Sequence, residues 1–162
     1  MSMHIWRYKE NQRNYPGYHL SADAEGCLAM LDWLRSLKAK PEFRLKPATS
    51  EVLSVPNNQG GLAAYVSYTL LKLQVKQDAD RGHFVFSEVS DCLSLECSQQ
   101  QIECIIKGVE DIQRGEGDYC IGRGKQQLLW FWWYPHQEST RVLRRRGIGH
   151  SAEQTRRDFT HP

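Results

Sequence analysis

The chain has 162 residues, 40% apolar and 25% charged, enough for one domain with a real core and too apolar for an intrinsically disordered chain. Its longest apolar run is the seven residues 128–134, well short of a helical bilayer span, and Met1-Ser2-Met3-His4-Ile5-Trp6 lacks the basic-then-apolar layout of a secretory leader. The formal charge of +2 is uneven: residues 141–162 hold six arginines against Glu153 and Asp158, a net of +4, so the rest nets −2 and steering of the whole chain toward nucleic acid is not indicated.

Met3 to Tyr8 reads as a first strand. The stretch Asn11-Gln12-Arg13-Asn14-Tyr15-Pro16-Gly17 is rich in turn formers, and its Pro-Gly pair marks a turn. Ser21 reads as the N-cap of a helix from about Ala22 to Lys38, with Asp23 and Glu25 at its positive end and Pro41 beyond its stop. Cys27, Leu28, Leu31, Leu34 and Leu37 recur there at helical spacing. Residues 43–47 and 51–55 are short strand candidates. The β-branched and aromatic stretch Tyr65 to Val75 reads as one long strand, whose apolar phase shifts near Leu70-Leu71 and suggests a bulge.

Asp78 to Gly82 marks a turn, His83 to Phe86 a short strand, and the alternation of Leu93, Leu95 and Cys97 another. Ser98 then caps a second amphipathic helix through Ile102, Ile105, Ile106, Val109 and Ile112, ended by Gly115. Asp118 to Ile121, the turn 122–125 and the strand 128–134 pair as a hairpin. Each helix carries a cysteine six residues past its capping serine. The surrounding residues do not align, so this spacing reads as coincidence. The pattern predicts an α+β fold: a single domain over 1–138, with an antiparallel or mixed sheet and both helices on one face, and a basic, flexible tail over 139–162.

Candidate chemistry is sparse. The five cysteines (Cys27, Cys92, Cys97, Cys104, Cys120) are odd in number, sit in apolar segments and include no Cys-x2-Cys pair. They read as reduced thiols without metal, in keeping with a cytoplasmic location, and no cofactor is implied. The histidines at 4, 19, 83, 136, 150 and 161 include no pair at helical ligand spacing. Gly115-Glu116-Gly117-Asp118 and Gly122-Arg123-Gly124-Lys125 contain phosphate-loop residue types, but neither opens a helix after a strand, and both read as structural turns. Cys120 as a nucleophile would need a base that the sequence does not place beside it.

Leu128-Leu129-Trp130-Phe131-Trp132-Trp133-Tyr134 is different, because it is apolar on both faces of a strand. The core can cover one face; the other needs a second layer, a partner or a ligand. Trp130, Trp132, Trp133 and Tyr134 are therefore the candidate binding residues, with at least one tryptophan expected at a surface. The competing expectation is that the 43–75 segment or the tail covers them.

The reading that follows is a non-enzymatic, protein-binding factor of inhibitor or immunity type, with a homodimer as one form of partner and no membrane involvement. A second reading is nucleic-acid association through Arg141, Arg144, Arg145 and Arg146, assisted by base stacking on Trp6-Arg7-Tyr8-Lys9 or Tyr134-Pro135-His136. An enzyme with a dispersed site is the third.

Overall fold

The computed structural model describes residues 1–9, 14–37, 41–56, 63–77 and 84–135. Met3–Tyr8 forms strand β1, as its pattern predicts, and Tyr18–Ala22 forms β2, an antiparallel neighbour that the turn-and-cap reading overlooks. Ser21 belongs to this strand, and its hydroxyl donates to the Trp133 carbonyl at 3.3 Å instead of capping a helix. The cap is Asp23. Its carboxylate accepts from the Gly26 amide at 2.7 Å, and helix α1 runs Ala24–Arg35.

β3 (Glu42–Arg44) is shorter than its predicted span, and the expected strand at 51–55 is a helical turn, α2 (Ser50–Ser54), capped by Thr49. Val52 and Leu53 are both buried. Adjacent side chains leave a strand on opposite faces but share one side of a helical turn, which is why a helix buries this pair more simply. The predicted long strand at 65–75 is two strands, β4 (Tyr65–Ser67) and β5 (Leu70–Val75), in different sheets. A crossing, not a bulge, accounts for the phase shift. The Tyr68 amide donates to the Ile5 carbonyl of β1, and the next amide, Thr69, donates to Asp91.

β6 (Val85–Val89) and β7 (Cys92–Cys97) form a hairpin. Ser98 and Gln101 make a reciprocal capping box for α3 (Gln99–Gln113), and Gly115, at φ +75°, closes that helix. β8 (Tyr119–Gly122) and β9 (Leu128–Trp132) form the final hairpin.

The α+β class is what the structure has, with its strands divided between two mixed sheets. One is ordered β4-β1-β2-β9-β8 and the other β3-β5-β7-β6. β2 with β9 and β5 with β7 are parallel, and every other pairing is antiparallel. Helices α1 and α3 pack on each other, and both touch the first sheet. Leu31, Leu34, Ile105, Val109, Leu129 and Phe131, the core positions the periodicity marks, all lie in one buried cluster with Leu71, Leu73, Leu93 and Leu95 of the second sheet.

The chain contains the same motif twice, an antiparallel hairpin followed by a helix: β1-β2-α1 and β6-β7-α3. Later strands of each half then join the sheet of the other, β3 and β5 beside β7 and β6, and β9 and β8 beside β2, while β4 stays beside β1. The two cysteines are not part of this repeat, for Cys27 is buried and Cys104 exposed.

Candidate functional site

Strand geometry divides β9 as its sequence implies. Leu129 and Phe131 enter the core, while Trp130 and Trp132 turn to the other face of the sheet. Register then builds a row of rings on that face. Trp6 of β1 stands opposite His19 of β2, and His19 opposite Trp130 of β9. Their centroids are 5.4 and 6.2 Å apart with nearly parallel planes. Trp132 stacks on Trp130 at 5.6 Å, and Tyr15 meets both edge-on at 5.4 Å.

His19 is the polar pin of this row. Trp132 Nε1 donates to His19 Nδ1 at 2.9 Å, so Nδ1 is the acceptor and Nε2 carries the hydrogen, donated to the Tyr15 carbonyl at 3.2 Å. Only a neutral imidazole fits both bonds. Burial pushes its pKa down to about 3, and the Tyr15 carbonyl opposes this only in part.

The row is partly roofed from within. Ala48, Val52, Leu53 and Ala63 pack with Trp6, Tyr8 and Trp132 in a second buried cluster. The Tyr8 hydroxyl donates to the Leu53 carbonyl at 2.9 Å. His4 Nδ1 donates between the carbonyls of Lys46 and Pro47 at 3.1 and 2.9 Å, which ties the roof down.

The four aromatic residues singled out in the sequence therefore come together, but with unequal access. Trp132 is only 3% exposed and lies under the roof. Trp130, Trp133 and Tyr134 stay half-buried at its rim, beside the half-buried Tyr15. Trp130 Nε1 already donates to the Pro16 carbonyl at 2.8 Å, which holds its ring in place. Arg141, Arg144, Arg145, Arg146 and His136 lie outside the described residues.

A cavity of about 310 Å³ adjoins the rim, lined in part by Pro16, Tyr18 and Lys125. In it Arg7 of β1 grips Glu88 of β6 across the two sheets, Nε to Oε1 at 2.6 Å and Nη2 to Oε2 at 3.1 Å. The Tyr18 hydroxyl donates to the same Oε1 at 2.7 Å. Partial burial works to raise the Glu88 carboxyl, but the hydrogen bonds from Arg7 and Tyr18 outweigh it and hold the group below its ordinary range.

Sequence reasoning missed Tyr15, His19 and this ion pair. Tyr15 sits in a stretch whose turn formers dominate any pattern, and an Arg–Glu pair 81 residues apart leaves no local trace.

Burial pushes the Cys27 and Cys97 thiols up to about 12 and also raises that of Cys120, which sits opposite Trp130 in the β8–β9 pair. Gly122 and Gly124 take φ of +110° and +73° in the hairpin connection. Among the described residues no group of three His, Cys, Asp or Glu side chains is placed to hold a metal ion. Comparison with family models, curated proteins and solved structures finds no match to this chain.

Proposed function

We propose that the protein is a non-catalytic binding factor of inhibitor or immunity type whose partner is another protein, and that the rim of Tyr15, Trp130, Trp133 and Tyr134 is its contact surface. The observation that carries this reading is the state of these rings: half-buried around the buried Trp132, with Trp6 and His19 stacked behind. Large aromatics held in one orientation lose little rotamer entropy on binding, and such residues dominate interface energetics. The Trp130 N–H is already spent on Pro16, so what this ring offers a partner is mostly apolar area.

The test is affinity capture from the source cells, followed by calorimetry with the purified partner. Trp130→Ala and Trp133→Ala should each weaken the complex by about 1–2 kcal/mol while circular dichroism and the thermal midpoint show an intact fold. Recovery of nucleic acid in place of protein, or partner affinity indifferent to both substitutions, overturns the reading. A self-association lost on the same substitutions identifies the partner as a second copy.

A further inference from the structure

Resting on the protein-binding reading, we propose that the cavity between β1, β2, β6 and the β8–β9 connection receives an acidic side chain of the partner, its carboxylate held by Lys125 and Arg7. The charge count in the cavity favours this. Among the described residues Glu88 is the only carboxylate in the lining, and it is engaged: Oε1 accepts from Arg7 and Tyr18, and Oε2 from Arg7. The Arg7–Glu88 pair is neutral as a unit, so the unbalanced charge is the ammonium of Lys125.

Among the described residues no carboxylate pairs with that ammonium. Residues 119–135 include Arg123 and Lys125 and no acidic residue. Neither cation makes a salt bridge among the described residues.

Arg7 is also prepared for a second anion. A guanidinium has five N–H donors; Glu88 takes two of them, and the phenol of Tyr68 lies close by, which leaves donors to spare. The bidentate grip fixes the plane of the group before any ligand arrives, which lowers the entropic cost of capturing one.

Size and position agree. A cavity of about 310 Å³ lies at the small end for ligand pockets, with room for a side chain more readily than for a cofactor. Pro16 belongs to both regions, lining the cavity while its carbonyl accepts from Trp130. A partner lying on the aromatic rim thus brings its neighbouring residues to the cavity mouth. An acidic residue flanked by apolar ones fits the combined surface.

The experiment has two arms. In the first, N-acetylglutamate methylamide is titrated into the isotope-labelled protein at low ionic strength, with inorganic phosphate as the comparison anion. The amides of Gly17, Lys125 and Gln126 and the Arg7 Nε–H should shift along one saturable curve, and Lys125→Glu should weaken it at least about tenfold. The unchanged remainder of the spectrum reports that the variant is folded.

In the second arm, the captured partner should bind Lys125→Glu about tenfold more weakly, and reversing the partner's acidic residue should restore binding. A titration that does not saturate, saturation by phosphate alone, or a partner indifferent to Lys125→Glu overturns the pocket proposal and leaves the aromatic rim standing. Saturable carboxylate binding with no protein partner overturns the protein-binding reading and the docking role with it.

Discussion

A neutral imidazole is what the surroundings of His19 require, since one ring nitrogen accepts from Trp132 and the other donates to Tyr15. In the unfolded chain histidine titrates near 6.5, whereas here burial takes the value down to about 3. Between those limits the unfolded state binds the extra proton. The contribution of this group is therefore complete above about pH 6.5 and is lost as pH falls toward 3, at up to roughly 1.4 kcal/mol per unit. His4 is shifted the same way, with burial opposed by the Pro47 and Lys46 carbonyls. Urea denaturation at a series of pH values should show stability declining below about pH 6, with a flatter profile in His19→Gln. An NMR titration that finds the His19 ring protonating near 6.5 in the folded protein would sink this account.

Gly108 makes a second residue-scale prediction, whose sign is decided by competing terms. Alanine is the better helix former by about 1 kcal/mol. Yet a Cβ at this position falls 2.3 Å from the Phe131 ring, and that ring is fully buried with nowhere to swing. Overpacking of this kind costs about 1–3 kcal/mol, so Gly108→Ala should lower the denaturation midpoint despite the propensity gain.

Among the elements, legibility followed the locality of the cause. β1, α3 and the β8–β9 hairpin were readable because alternation, a capping box and turn glycines all lie within the segments they shape. β2 was not, because Tyr18-His19-Leu20-Ser21-Ala22 is a strand by virtue of β1 on one side and β9 on the other. The break at Tyr68-Thr69 was visible only as a change of phase, whose cause lies in Ile5 and Asp91. For the candidate site, the sequence marked Trp130 and its neighbours as needing a cover. It also offered the 43–75 segment as one such cover, and part of that segment does pack there, although α2 within it read as a strand.

Two element-scale predictions concern the helices. Asp23→Ala removes the α1 cap and should cost about 0.5–2 kcal/mol, whereas Ser21→Ala should leave that helix end intact. Leu31→Ala should cost about 2–5 kcal/mol through lost burial and the cavity left between α1 and the sheet. Chemical denaturation measures both. A Leu31→Ala midpoint equal to that of the parent protein would contradict the packing.

Considered whole, the molecule is two hairpin-and-helix motifs that trade strands. β1 and β2 of the first half share a sheet with β8 and β9 of the second, and β6 and β7 of the second share one with β3 and β5 of the first. The parallel pairs β2–β9 and β5–β7 are the two seams of that exchange. Neither half holds a complete sheet, so residues 1–77 and 84–162 made separately should each lack a cooperative thermal transition, and mixing them should restore one. Calorimetry of the separate and combined fragments checks this.

The place of β9, inside its sheet yet last of the described strands in chain order, bears on how the protein is made. As the chain leaves the ribosome, β2 emerges more than a hundred residues ahead of Trp132, the residue that completes its neighbour. Through that interval the β2 flank presents unpaired backbone donors and acceptors, with Leu20 beside them, to whatever else is in the cell. Nascent chains stalled before residue 128 should therefore recruit holding chaperones, and chains released after residue 135 should shed them. Released chains of graded length, probed by crosslinking, would show that transition falling between those two positions.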